Sequence, residues 1–329
     1  MNIYPKRLEK QLKMINILVT GVGAIIGYGI AKSLKTQKKY AVRVIGMDIY
    51  PDAYGQFICD KFYQAELAYS DEYPAFVQKV VRDENIDLII PGIEQDMYRL
   101  NQISHMIPCK IVLNNQLLID ISKDKLATYN YFKDKEINLI PTLFKAGFDT
   151  CQEALGLPFL LKPRASYASK GIHKIMNKEE FAFFNKDPEA NICQRIVGTN
   201  EDEYTISVFG MGDGTFADYI ILRRKLSQTG ATDKASVVLE EESIMSYVSR
   251  ICEMTKPIGP TNIQIRKEYG NVLLLEINPR ISSACSIRCA AGYNEPLMCI
   301  EYYLMNEKPS SSKKREIKAV RYISDYIYE

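Results

Sequence analysis

The chain has 329 residues, with 42 Lys and Arg against 40 Asp and Glu and a formal net charge of +2. That balance gives no electrostatic footprint for nucleic acid, and 47% hydrophobic residues with no apolar run of membrane length exclude a spanning helix. Eight cysteines scattered singly, without CxxC pairs and without a secretory signal ahead of them, point to the cytoplasm and to mostly inert buried thiols.

Residues 1–13 are charged and precede the first strand, reading either as a short helix or as a frayed arm. INILVTG (15–21) reads as a buried strand ending in glycine and AIIGYGIAKSLKTQ as a helix. VRVIGMD (42–48), IDLIIPG (86–92) and KIVLN (110–114) are further apolar strands, with DEYPAFVQKVVRDE and EQDMYRLNQISHM as amphipathic helices between them. This alternation predicts a parallel α/β sheet covered on both faces and ending near residue 120. The pattern then changes. DKLATYNYFKDK is a helix, and FLLKP (159–163) is a strand running into the loop RASYASKG. NICQRIVG, EYTISVFG and FADYIILRRK are successive strands, and IMSYVSRICEMT is a helix. TNIQIRKEYGNVLLLEI is a hairpin around Tyr-Gly-Asn, PSSSKKRE (309–316) a polar loop, and IKAVRYISDYIY a final strand. Strands joined by hairpins make this half α+β with antiparallel sheets.

Two stretches carry chemistry. In the first, Gly21, Gly23 and Gly27 of GVGAIIG follow a strand and open a helix, and Asp48 ends the next strand where a ribose-binding acid would sit. The spacing is G-x-G-x-x-x-G, so the motif reads either as a nicotinamide dinucleotide site or as a tight turn with close helix packing. The second is LLLEINPRISSACS (273–286). With Tyr269, Gly270 and Asn271 as a three-residue loop, Glu268 pairs with Val272, Gln264 lies opposite Glu276, and Asn262 opposite Asn278. Alternate residues share a face, so Gln264, Glu276 and Asn278 converge. A carboxylate with amide oxygens and no imidazole or thiolate suits Mg²⁺ or Mn²⁺; the alternative is a polar strand end with a surface Glu and a capping Asn.

Phosphate-binding groups accompany this hairpin. Lys162 stands at a strand tip beside Pro163, and the loop 165–171, with Ser166, Ser169 and Gly171, could cover phosphates. Lys125 opens the helix that begins this half, and Arg280 follows the metal pair, where it could stabilise charge on a transferred phosphoryl group. His105 reads as structural, and His173 lacks a visible catalytic partner.

With DK, LKP, QRIVGTNEDEYT, NIQ and LEINPRIS…AAGYNEP in place, residues 120–300 resemble an ATP-grasp domain of the carbamoyl-phosphate-synthase-like, carboxylate-amine ligase branch. Residues 14–120 resemble the Rossmann-like α/β domain that precedes it. The resemblance implies an arm (1–13), a pre-ATP-grasp domain (14–120), a lid subdomain (121–193) and a C-terminal subdomain with metal site and substrate loop (194–329). It implies ATP phosphates on Lys125 and Lys162, adenine on Gln194, Arg195, Ile196 and Val197, and ribose on Glu203. Magnesium would sit on Gln264, Glu276 and Asn278, with Arg280 and Lys162 acting on the phosphoryl group. Arg224, Ser283, Cys285 and Arg288 are the acceptor candidates, Arg288 for an acceptor carboxylate. Cys285 stands where small or hydroxyl residues are common, and the cover loop is poor in glycine, so neither the acceptor nor the loop's backbone donors carry over. The implied reaction is ATP-dependent phosphorylation of a small carboxylate and its coupling to an amine by a homodimeric enzyme. An enzyme that stops at the acyl phosphate, an NAD(P)-dependent oxidoreductase and a non-enzymatic nucleotide sensor are the alternatives.

Overall fold

The structure, a computed structural model, describes residues 14–165, 170–199, 201–227, 232–322 and 324–328. The arm 1–13, Ser166 and Ser169 lie outside the described residues. The chain divides into two compact units, Met1–Ile111 and Val112–Glu329.

In the first unit β1 (Ile15–Thr20), β2 (Val42–Asp48), β3 (Lys61–Gln64), β4 (Leu88–Ile90) and β5 (Lys110–Ile111) form a parallel sheet in the order β3-β2-β1-β4-β5. Helices α1 (Ile25–Thr36), α2 (Tyr73–Asp83) and α3 (Glu94–Ile103) connect the strands. The edge strand β3, KFYQ, has no buried residue and no apolar run, which is why its sequence does not announce it. His105 falls in a 3₁₀ turn, Ser104–Met106, after α3 rather than within a helix.

The glycine motif serves packing. A Cβ on Gly27 would lie 2.2 Å from the Gly21 carbonyl oxygen, and one on Gly92 would lie 2.2 Å from the Thr20 oxygen and 2.6 Å from the Gly27 Cα. Asp48 is buried. Its Oδ2 accepts from the Gly23 amide (2.7 Å) and its Oδ1 from the Tyr50 amide (3.1 Å). The acid that a dinucleotide site needs for the ribose thus holds the turn itself.

The second unit opens with α4 (Gln116–Ser122) and α5 (Lys125–Phe132). A four-stranded antiparallel sheet, in the order β6-β9-β7-β8, contains β6 (Thr142–Leu143), β7 (Phe159–Pro163), β8 (His173–Ile175) and β9 (Asn191–Arg195). Helices α6 (Phe148–Leu155) and α7 (Lys178–Phe184) accompany it. A six-stranded antiparallel sheet follows, in the order β14-β13-β10-β11-β12-β15. Its strands are β10 (Glu203–Met211), β11 (Phe216–Leu226), β12 (Thr232–Val238), β13 (Ile258–Glu268), β14 (Asn271–Asn278) and β15 (Lys318–Val320). Helix α8 (Glu242–Thr255) precedes the β13–β14 hairpin; α9 (Cys285–Ala290) and α10 (Glu295–Cys299) follow it. The expected final strand is reduced to the three residues of β15.

Alternation, interrupted by a bulge in β14, gives the six-stranded sheet two unlike faces. Ile206, Val208, Ile221, Ile263, Ile265, Leu274 and Ile277 point into a core shared with Leu118, Phe132, Ile244, Val248 and Ile251. Each such side chain, fully buried, contributes about 1.5–3 kcal/mol. α4, placed across the expected boundary at 120, thereby packs within the second unit. The intervening residues of the same strands, Glu203, Thr205, Ser207, Asn262, Gln264, Arg266, Glu276 and Asn278, make the opposite, polar face.

The hairpin differs from expectation at its tip. Glu268 pairs with Asn271, so the loop is the two residues Tyr269 and Gly270, at φ +48° and +82°. Positive φ at both positions is the geometry of a tight hairpin turn. The register then shifts between Gln264 and Ile265, leaving Leu275 as an extra residue, and Gln264↔Glu276 and Asn262↔Asn278 are restored. The bulge cancels the one-residue error in the loop. Because Leu275 is the unpaired residue, deleting it is expected to remove the bulge and leave Glu276 opposite Gln264, so circular dichroism melts should keep a cooperative transition.

Candidate active site

Lys162 is a buried cation of the site. It sits at the end of β7, is 6% exposed, and its Nζ donates to Gln194 Oε1 on β9 (2.5 Å). Gln194 Nε2 donates in turn to Thr142 Oγ1 on β6 (3.0 Å), whose hydroxyl donates to the Ile140 carbonyl (2.9 Å). Burial first, and then the neighbouring Lys125, push the Lys162 ammonium down to about 8, against the opposing pull of Glu276 and Glu203. Lys125 is brought there by a helix cap. Asp124 accepts from the Leu126 amide (2.8 Å) and takes Arg164 Nε (3.0 Å) and an Arg164 terminal nitrogen (2.5 Å), clamping the start of α5 to the end of β7.

On the polar face of the large sheet, Glu203 is buried between two guanidinium groups. Its Oε1 accepts from Arg224 Nε (3.0 Å) and a terminal nitrogen (2.8 Å), and its Oε2 accepts from Arg266 (2.9 Å). Arg224 also donates to Gln264 Oε1 (2.6 Å), and Arg266 to the Val197 carbonyl (3.0 Å). Arg280 donates to Asn278 Oδ1 (3.1 Å) and to the Ile281 carbonyl (3.2 Å). Glu276 is half-buried, and its carboxylate makes no hydrogen bond to another described residue. Lys125, Lys162, Arg224, Arg266 and Arg280 lie around Glu203 and Glu276, five cationic side chains beside two carboxylates. The excess positive charge suits a polyanion.

The donor set fits a hard divalent cation. Among the described residues no three His, Cys, Asp or Glu side chains group as a metal site; Gln264, Glu276 and Asn278 offer one carboxylate and two amide oxygens on one face. Each amide oxygen has a second lone pair beyond the one facing an arginine, and a single carboxylate leaves room for phosphate oxygens to complete the shell. Beside these groups lies a small apolar cluster of Ile140, Val197 and Leu273, with Leu275 packed against it.

Residues 199–326 match the family model described as ATP-grasp in the biosynthetic pathway with Ter operon. Comparison with curated proteins finds no match. Among solved structures, the chain is similar to the ADP complex of N5-carboxyaminoimidazole synthetase from Staphylococcus aureus, with TM-score 0.70 and 16% identity over 92% of this chain and 79% of that one. N5-carboxyaminoimidazole ribonucleotide synthetase from Thermus thermophilus gives TM-score 0.69 and 16% identity over 93% and 82%. Biotin carboxylase from Campylobacter jejuni gives 0.65 and 14% over 87% and 70%. The fold is ATP-grasp.

Within this fold the structure gathers Lys125, Lys162, Gln194, Glu203, Arg224, Gln264, Glu276, Asn278 and Arg280 around one sheet face. Arg195 turns to an ion pair with Glu268, so only its backbone remains for a base, as for Ile196 and Val197. Gly171 has φ +74°, and a Cβ there would meet Pro163 at 2.8 Å. Ser283 is half-buried, and its carbonyl accepts from Arg321; Cys285 is buried at the start of α9.

Arg288 departs from the expected acceptor contact: it is fully buried and bonded to Glu295, Thr205 and Asn262. Arg224 is likewise turned inward, to Glu203 and Gln264. His173 stacks on Phe184 with centroids 3.9 Å apart, a packing role. Sequence reasoning does not single out Arg266, Asn262 and Thr205 as site residues, although alternation from Gln264 and Glu203 places them on the same face. Glu295 lies in the AAGYNEP stretch, but its role does not show there, because its partner Ser207 lies on a strand far away in the chain. All eight cysteines are free thiols, and no helix among the described residues is long and apolar enough to cross a membrane.

Proposed function

We propose that the chain is an ATP- and Mg²⁺-dependent ligase that phosphorylates the carboxylate of a small molecule and couples the acyl phosphate to an amine. The observation that carries this reading is the set of five cationic side chains around Glu276, Gln264 and Asn278 on one sheet face. Lys125, Lys162 and the loop with Ser166, Ser169 and Gly171 would hold the phosphates. The backbone of Gln194 to Val197, beside the apolar cluster containing Leu275, would take the adenine. Glu203, fixed between Arg224 and Arg266, would accept from the ribose hydroxyls. Gln264, Glu276 and Asn278 would hold Mg²⁺ (or Mn²⁺), which when bound neutralises phosphate charge.

Such chemistry rests on positioning and charge neutralisation and needs no protein nucleophile. Arg280, tethered to Asn278, is placed to meet the transferred phosphoryl group. The relatives solved with ADP support a nucleotide in this place. We take the enzyme to be a cytoplasmic homodimer acting on small molecules, with no nucleic-acid or membrane partner. In a thermal-shift experiment Mg·ATP at about 100 times its Kd is expected to add roughly 2.7 kcal/mol of stability, whereas NAD(P)H adds none; the reverse result overturns the reading. ADP release in a screen of small carboxylates should rise only when an amine is present, and release without amine would favour an enzyme that stops at the acyl phosphate.

A further inference from the structure

Behind the polar face lies a buried network that the nucleotide reading does not use. Arg288 on α9 and Glu295, the first residue of α10, are both 0% exposed. Glu295 Oε1 accepts from Arg288 (3.3 Å) and from the Ser207 hydroxyl on β10 (2.6 Å). The other terminal nitrogen of Arg288 donates to Thr205 Oγ1 (2.9 Å) and to Asn262 Oδ1 (2.7 Å), and the Thr205 hydroxyl closes the triangle by donating to Asn262 Oδ1 (2.5 Å).

Two donors, one of them charged, therefore fix the Asn262 amide. A flipped amide would set its NH₂ against a guanidinium and lose both bonds. What is left over is Asn262 Nδ2, which is buried and has no partner among the described residues; so is Asn278 Nδ2. The two residues are direct cross-strand partners on the site face, so their Cβ atoms are about 4.5–5.5 Å apart. Asn278 Oδ1 is held by Arg280, which turns its NH₂ the other way. Buried donors without acceptors are rare, and two on adjacent corners of a cationic site call for an anionic oxygen.

We propose that the Arg288–Glu295 pair is a positioning device: it sets the polarity of Asn262, so that Asn262 and Asn278 together donate to an oxygen of the transferred phosphoryl group. This rests on the phosphoryl-transfer reading above. The pair is poorly suited to stability alone, since Arg288 Nε and Glu295 Oε2 are buried without partners among the described residues and apolar side chains of like volume commonly replace such pairs at no loss.

The test is MgADP binding to the full chain by calorimetry, with and without aluminium fluoride as mimic of the phosphoryl group. The double variant Arg288→Met/Glu295→Gln leaves no uncompensated buried charge. It should bind MgADP within about twofold of wild type and lose at least roughly tenfold of the tightening by aluminium fluoride. Asn262→Asp, which keeps the acceptor for Arg288 and exchanges the NH₂ for an oxygen, should lose the same tightening, and it decides the matter if the double variant does not fold. Unchanged tightening in a folded double variant, or in Asn262→Asp, overturns the proposal. A wild-type protein that binds no MgADP overturns the nucleotide reading instead.

Discussion

Glu276→Ala is expected to reduce ADP release by roughly a thousandfold, the scale seen when one preorganised electrostatic contact to a transition state is removed. The reason is the unequal state of the two site carboxylates. Glu203 is engaged at both oxygens by Arg224 and Arg266. The Glu276 carboxylate makes no hydrogen bond to any described residue, so it is the site acid open to a cation. For the same reason the change should cost little in folding, and the melting temperature should stay within about 3 °C of wild type. With one carboxylate in the set, Mn²⁺ should bind weakly alone and tightly only with ATP, which electron paramagnetic resonance can read from the free-ion signal. An alanine variant that retains a tenth of the activity, or the same ATP-dependent Mn²⁺ binding, would move the metal to other residues.

Much of this site is legible in the sequence because a β-strand repeats every two residues. Once EINPR is placed on a strand, Glu276 and Asn278 must share a face, and Gln264 and Asn262 follow from pairing. The pairing holds through two compensating features: the turn is one residue shorter than expected, and Leu275 restores the lost step. Local pattern does not show this, since a bulge depends on how the neighbouring strand packs. The same limit hides the engagement of the polar groups. Asp48 stands where a ribose acid belongs, yet the Gly23 amide takes it. Arg288 is one turn beyond a substrate loop, yet Glu295, Thr205 and Asn262 draw it inward. Which way a side chain turns is settled by long-range partners. Ser207 and Glu295, for instance, are 88 residues apart. The parallel and antiparallel halves are legible from strand spacing and hydrophobic runs, whereas β3, short and without a buried residue, is not.

Lys162→Met is expected to weaken MgADP binding about a hundredfold without lowering the melting temperature at about pH 7. Burial holds the Lys162 ammonium at about 8, below its ordinary 10.5. Below pH 8 the folded and unfolded chains both carry the proton, and the buried charge costs about 3 kcal/mol in full. Between pH 8 and 10.5 the folded state gives up the proton first, so this cost fades and wild-type stability rises with pH. Methionine removes the cost but leaves Gln194 Oε1 without its donor, a loss of about 1–3 kcal/mol. The variant should thus match or exceed wild type near pH 7 and lose that advantage by about pH 10. Retaining a charge at such a cost is intelligible if an anion meets it, and that gives an independent readout on the unmodified protein. Bound phosphate favours the charged lysine, so above pH 8 binding must take up a proton, and MgADP affinity should fall by up to about tenfold per pH unit. An affinity that stays flat from about pH 7 to 9.5, or one that Lys162→Met leaves unchanged, would separate this lysine from the nucleotide.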